Sequence, residues 1–182
     1  KNTNMVTVID DEDCMRILRL FNEKEGKDYL TSSGVDKEFV RQLSILGISG
    51  ISNILSAIKT AKYYELSSDD ILFAPATDSA DMYKSRIEEL SEEHGEYNQL
   101  QAAKDLEKCL FGTRTDNMKE LTYTDQKAIH NLKYFTWIEQ QGKDVEDLNQ
   151  LWYDRDIWHK MFSQVDKWDE LINEFNEMTG LK

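Results

Sequence analysis

The fold that the sequence predicts depends on one stretch, Asp69-Asp70-Ile71-Leu72-Phe73-Ala74-Pro75-Ala76-Thr77-Asp78-Ser79. Its apolar run, residues 71–74, follows a polar turn and precedes the single proline of the chain, as in strands that are buried on both faces of a parallel sheet. Two further strand candidates lie upstream, Met5-Val6-Thr7-Val8-Ile9 and Ile45-Leu46-Gly47-Ile48, and helical spacing of apolar residues separates the three. Strands that alternate with helices predict a right-handed parallel sheet with helices on its faces.

No strand pattern follows Ser79, and the remainder of the chain has the apolar spacing of helices. The predicted fold class is therefore α/β: a partial doubly wound parallel sheet of about three strands with flanking helices, followed by an all-helical extension. Aromatic residues concentrate in that extension, which is typical of a helical core or a subunit interface. The predicted helices there are Met82–Glu93, Tyr97–Phe111, Asp125–Gln141, Val145–Trp152 and an interrupted Ile157–Met178.

Capping residues mark several helix starts. Asp10 or Asp11 is expected to cap a helix whose apolar residues run from Cys14 to Phe21 at helical spacing. Thr124 and Asp144 are the predicted N-caps of two helices in the extension. The polar segment that follows the first helix, 24–36, is predicted to be a connection without regular structure.

Charge and composition exclude several classes of function. The net charge is −13, whereas nucleic-acid binders need a basic face and anionic membranes attract basic segments. No apolar stretch is long enough to span a bilayer. Cys14 and Cys109 stand apart in apolar helical contexts, which predicts reduced thiols and a cytoplasmic protein. Lys1 as the first residue predicts that the chain is a piece of a longer protein.

Two junctions could carry chemistry. Leu46-Gly47-Ile48-Ser49-Gly50 leads from a predicted strand into a helix, and its glycines allow the backbone to approach an anion or a polar ring edge closely. Thr77, Asp78 and Ser79 follow the most apolar predicted strand, at the edge where open α/β sheets bind ligands. The alternative interpretations are a plain turn at the first junction and helix capping by Asp78 or Ser79 at the second.

The order and spacing of these segments resemble the closing part of fold type II pyridoxal-phosphate (PLP) enzymes, which include cysteine synthases, cystathionine β-synthases and threonine synthases. The resemblance rests on the Gly47-Ile48-Ser49-Gly50 turn, the helix that follows it, the strand from Asp69 to Phe73 and the Thr77-Asp78-Ser79 segment. It covers roughly residues 5 to 90. In such enzymes a comparable glycine turn opens a helix, and a Pro-Asp-Ser-type segment follows one strand later.

The resemblance implies roles for five residues. Ser79 matches the serine that bonds the pyridine nitrogen of PLP, and Asp78 precedes it in the same segment. Gly47 and Ile48 match the turn that lies along the cofactor ring, and Ser49 matches the serine beside that turn. A hydroxyl partner leaves the ring nitrogen largely unprotonated, which suits β-elimination or β-replacement on a small amino acid. Gly50, Ile51, Ala80 and Met82 depart from the family pattern, which indicates a divergent branch.

Family features that lie upstream of these motifs are missing. No segment resembles the one that holds the cofactor-binding lysine, the loop for the substrate carboxylate or the phosphate cradle. Lys59 and Lys62 are predicted to be solvated or snorkelling side chains of a helix. The isolated chain is therefore expected to be inert and to need the missing N-terminal half of the same enzyme. Residues 1–90 are assigned to the PLP-binding domain, and 91–182 to an extension that packs across a homodimer interface or covers the active-site mouth.

Two other classes of function stay open. The first is a noncatalytic acidic α/β interaction module that keeps the fold without the chemistry. The second is a metal-dependent hydrolase, and a solvated or capping role is favoured over a metal site for each of its candidate clusters. Those clusters are Asp10, Asp11, Glu12 and Asp13; Glu92, Glu93, His94 and Glu96; and Asp154, Asp156 and His159.

Overall fold

The computed structural model describes residues 1–181, which are mostly helical. Strands β1 (Met5–Thr7) and β2 (Met118–Glu120) pair as a two-stranded antiparallel sheet. Short 3-10 turns cover Leu43–Ile45 and Ala80–Tyr83, and π-helical turns cover Leu106–Phe111 and Tyr134–Gln140. The α-helices are α1 (Asp11–Asn22), α2 (Lys24–Ser32), α3 (Lys37–Gln42), α4 (Ile48–Tyr63), α5 (Lys84–His94), α6 (Gln99–Asp105), α7 (Tyr123–Asn131), α8 (Val145–Tyr153), α9 (Ile157–Phe162) and α10 (Val165–Thr179).

The predicted α/β fold with a parallel sheet is wrong. Residues 71–74 form no strand, and the side chains of Ile71 and Phe73 are 77% and 94% exposed. Ile45 ends a 3-10 turn and Ile48 already begins α4, so the second predicted strand is absent as well. The first exists as β1, but β2 is its antiparallel partner. A strand is stabilised by hydrogen bonds from a neighbouring strand, which an apolar run cannot supply for itself.

The chain divides into two compact units, and the larger is Val6–Lys119. Helix α1 is its centre, with Ile17, Leu18 and Leu20 at most 1% exposed. Asp10 caps this helix by accepting a hydrogen bond from the backbone N–H of Glu12. Three acidic residues follow in the first turn, where their negative charge interacts favourably with the helix dipole. Helices α2, α4 and α6 pack against α1. A buried apolar face on a capped helix therefore organises this unit.

The other unit contains Lys1–Met5 and Glu120–Lys182. Helix α7 begins with a capping box in which Thr122 and Asp125 exchange hydrogen bonds, and Asp144 and Asp147 form a similar box before α8. Trp152 is 4% exposed and packs edge-on against Tyr123. These contacts join α7 and α8 into a small helical core.

Among residues 1–181, no single helix is both long and apolar enough to cross a membrane. One pair of segments, Lys37–Ile45 and Ile48–Tyr63, reaches that length and apolarity together, with a bend of 116° between them.

Candidate functional site

The two junctions that the sequence singles out meet in space. The backbone N–H of Gly47 donates to the carbonyl oxygen of Asp78 over 2.9 Å. The side-chain amide of Asn53, one turn into α4, donates to the carbonyl oxygen of Pro75, also over 2.9 Å. The 71–79 segment is thereby held against the N-terminus of α4, although no sheet brings the two together.

The carboxylate of Asp78 caps α4. Its Oδ2 accepts from the hydroxyl of Tyr83 at 2.6 Å and lies 3.5 Å from the backbone nitrogen of Ser49. The hydrogen bond from Tyr83, with weaker ones from the helix N-terminus and Thr77, holds the pKa of Asp78 below its ordinary value. A Cβ on Gly47 would lie 2.5 Å from that same oxygen, so glycine permits the close approach.

This arrangement leaves no space for a pyridine ring between the junctions. A ring beside Gly47 would have to displace the Asp78 carboxylate and the Tyr83 side chain, whose Cε2 lies 2.9 Å from a Cβ built on that glycine. Ser79 is half-buried and precedes the 3-10 turn, and Ile48 packs partly against the apolar core. The residues present do not fit the cofactor in this geometry, and the PLP assignment stays a prediction.

A polar cavity of about 190 Å³ lies between α1 and the α5–α6 connection. The sequence singled out Glu12, His94 and Glu96 on its wall as candidate metal ligands, but not its buried charges. Arg19 on its wall is 5% exposed and donates to Glu23, to the hydroxyl of Ser91 at 3.1 Å and to the carbonyl of Gly95 at 2.9 Å. Its guanidinium also lies 4.9 Å from the ring centre of Tyr97. Arg19 therefore connects α1 to the chain that leads into α6.

Asp105 is the second buried charge of the cavity and is 1% exposed. It accepts from the hydroxyl of Tyr97 at 2.8 Å, from Gln101 at 2.7 Å and from Arg16 at 3.3 Å. Burial, and then the Asp105 charge, raise the pKa of Tyr97 far above its ordinary value, so the phenol keeps its proton. The charges of Arg19 and Asp105 are therefore each paired within the protein, and Asp105 joins α6 to Arg16 of α1.

A second cavity of about 530 Å³ lies beside α4 and the Leu106–Phe111 turn. Lys59, predicted to be a solvated or snorkelling side chain, is 5% exposed here. Its Nζ donates to the carbonyl of Val8 at 2.9 Å and lies 3.5 Å from Asp116. Cys109 contacts Asp13 at 3.3 Å, and burial raises the pKa of its thiol to about 12. The thiol therefore stays protonated at neutral pH and is not a nucleophile.

The acidic clusters do not assemble into a metal site. Among residues 1–181, no group of three or more His, Cys, Asp or Glu side chains is arranged to hold a metal ion. Asp154 instead pairs with Lys160 at 2.9 Å, and Asp13 pairs with Lys108 at 3.1 Å.

The most distinctive surface is at the C-terminal end. No residue of α10 is buried, and nor is any residue of α9. Six apolar or aromatic residues, spaced alternately three and four apart, are exposed by 39% to 60% of their surface. We call this set the C-terminal face; its members are Trp158, Met161, Val165, Trp168, Ile172 and Phe175.

Alternate spacing of three and four is the heptad pattern of helices that pair along an apolar seam. In that register Trp158, Val165 and Ile172 occupy a positions, and Met161, Trp168 and Phe175 occupy d positions. Sequence reasoning identified the aromatic stripe but not its register. Ser163 and Gln164 form a turn that separates α9 from α10; the spacing of three and four in the sequence runs on across this turn.

Comparison with family models, curated proteins and solved structures finds no match to this chain.

Proposed function

We propose that this chain is a noncatalytic, acidic, helical interaction module, and that the C-terminal face is its binding surface. One observation carries the proposal: α10 is a 15-residue amphipathic helix without a single buried residue. Such a module was the alternative to a PLP enzyme that the sequence left open, in the form of an α/β domain, and the helical fold corrects that form.

Helix α10 needs a partner to be stable. Isolated helices of about 15 residues are marginal in water even when they are rich in alanine. This one contains Val165, Trp168, Ile172 and Phe175, which have lower helix propensity, and none of its residues is buried. Covering the C-terminal face would supply the missing stabilisation, because burial of an amphipathic face is the main source of helix stability in proteins.

The charge around the face favours a protein partner over a lipid surface. Helices that lie in membrane interfaces carry lysine and arginine on their polar side. Helix α10 has five acidic residues and one basic residue, Lys167. Anionic lipids would repel this helix, whereas an apolar protein surface would not.

The proposal is tested by photo-crosslinking in the cells that make the protein. A benzophenone amino acid is placed at Phe175, on the face, and at Glu177 in a matched control on the opposite side of the helix. We expect a protein adduct from position 175 and none from position 177. Equal adduct yields at both positions, or none at either, would contradict a binding role for the face.

A PLP-dependent enzyme is the second candidate, because the two junctions that the resemblance singled out lie together through the Gly47–Asp78 hydrogen bond. The cofactor ring would enter only after the Asp78 carboxylate and the Tyr83 side chain had moved away from Gly47. The cofactor lysine would then come from a segment outside this chain. PLP is added to the longest natural form of the protein and its visible absorbance is recorded. A band that is absent from the free cofactor and that shifts in Ser79→Ala would support this candidate, whereas the spectrum of free PLP would oppose it.

A further inference from the structure

We propose that the C-terminal face pairs with the same face of a second copy of this chain, as a two-stranded parallel coiled coil. This inference rests on the proposed function and names the partner. In α10 the seam would run from Val165 to Thr179, which continues the a positions beyond Ile172. Two heptads of contacts would then come from α10, and Trp158 and Met161 of α9 would add a third where the turn at Ser163 and Gln164 becomes helical on pairing.

The residue types favour two parallel strands. Val165, Ile172 and Thr179 place β-branched side chains at a positions, and Met161 and Phe175 place side chains without β-branching at d positions. In parallel two-stranded coils the a positions favour β-branched residues, and the d positions favour residues such as leucine, which is unbranched at Cβ. No charged residue interrupts the seam between Trp158 and Thr179 at either position.

Charge does not oppose self-pairing, despite the net charge of −13. Residues at e and g positions face their counterparts across a parallel seam. In α10 and the residue before it these are Gln164, Asp169, Leu171, Asn176 and Met178, so that only one of the five carries a charge. Most of the acidic side chains occupy the outer b, c and f positions, where two copies keep them apart.

The apolar surface is large enough for a stable dimer. Phe162, Leu171 and Met178 flank the six residues of the face and are 51% to 79% exposed. With on the order of 100 Å² exposed by each of these large side chains, one copy offers on the order of 900 Å². A specific interface of standard size buries about 800 Å² per partner. A second copy can therefore cover the face without help from another protein.

Sedimentation velocity of the full chain over a range of concentrations is the first test. We expect a dimer for the natural sequence, and Trp168→Glu should weaken the association constant by about a hundredfold, because a central tryptophan is lost from both copies. Asn173→Glu adds the same charge at an outer b position and should stay dimeric. The inference would be overturned if the natural protein sedimented as a monomer at about 100 µM, which is on the order of the Kd of a weak dimer. It would also be overturned if Trp168→Glu remained a dimer.

Cysteine crosslinking tests the orientation. In a parallel coil Ile172→Cys places two thiols opposite each other, so a mild oxidant such as diamide should link the copies, whereas Glu170→Cys at an outer position should stay unlinked. Burial raises the pKa of the natural thiols Cys14 and Cys109, which keeps them out of the reaction. A dimer without this crosslink, or with equal crosslinking at both positions, refutes the parallel coil.

The two proposals can fail separately. If the purified protein is monomeric while the adduct at Phe175 in cells contains a different protein, self-pairing is wrong and the interaction module stands. If no adduct specific to the face forms in cells and the purified protein is monomeric, both are wrong.

Discussion

Replacing Asp105 with alanine tests whether the hydrogen-bond network around its carboxylate stabilises the packing of α6 against α1. The carboxylate is fully buried and accepts from Tyr97, Gln101 and Arg16. Removing one partner of a buried ion pair costs about 3–5 kcal/mol. The Arg16 side chain is 31% exposed and can regain water, so we expect the lower end, about 3 kcal/mol of lost unfolding free energy.

The measurement is urea unfolding of the full chain followed by far-UV circular dichroism. All four tryptophans, from Trp137 onwards, lie in the other unit, so their fluorescence does not report on this cavity. Tyr97→Phe is the companion variant and should cost about 1 kcal/mol, because Asp105 keeps two other donors. In the Asp105→Ala background the same change should cost less, since the phenol has already lost its acceptor.

A loss of less than about 1 kcal/mol in Asp105→Ala would refute this reasoning, because a surface pair contributes no more than that. Strictly additive costs for Asp105 and Tyr97 would show that the two side chains do not interact, despite the 2.8 Å between their oxygens.

Three further predictions concern single sites. Gly47→Val should lower stability by about 1–3 kcal/mol in urea unfolding, because its side chain would collide with the Asp78 cap. Burial lowers the pKa of His130, which donates from Nε2 to the carbonyl of Leu148, so protonation opposes folding. The contribution of neutral His130 to the unfolding free energy is therefore fully present above a pH of about 6.5 and should be lost as the pH drops below it. His130→Phe should remove this pH dependence in thermal melts recorded at several pH values. Burial raises the pKa of Cys14 to about 11 and that of Cys109 to about 12, so both thiols should react with a disulfide reagent only after denaturation, as a colorimetric thiol assay would show.

Local signals in the sequence predict the helices well. Asp10 caps α1 as expected, Asp144 caps α8, and the predicted interruption of Ile157–Met178 falls at Ser163 and Gln164. These features depend on capping groups and apolar spacing within a few residues, which the sequence contains directly. The cap of α7 is Thr122, two residues before the predicted Thr124, because its box partner is Asp125.

The predicted sheet failed because strand pairing is not local. Ile71 to Ala74 has the composition of a buried strand, yet no neighbouring strand covers it, and it stays exposed. The segment after α1 failed for a related reason. It was predicted to be an irregular connection, but it forms α2, whose Leu30 and Gly26 are buried against the core. Tertiary packing there outweighs a weak intrinsic preference.

The candidate site shows the same limit. The resemblance implied that Gly47 and Asp78 lie at one cofactor site, and the two residues are hydrogen-bonded, but the sequence could not show that the Asp78 carboxylate fills the space between them. The cavity lined by Arg19 and Asp105 could not be foreseen either, because the two residues belong to different helices, α1 and α6, and only packing brings them to one cavity.

Hydrogen–deuterium exchange of the amides in α10 tests the central claim most directly, namely that another protein chain covers the C-terminal face. For the purified full chain we expect protection between Val165 and Thr179 that increases with protein concentration and is lost in Trp168→Glu. Protection that is independent of concentration and unchanged in that variant would contradict the account, as would exchange at the rate of an unfolded peptide at every concentration.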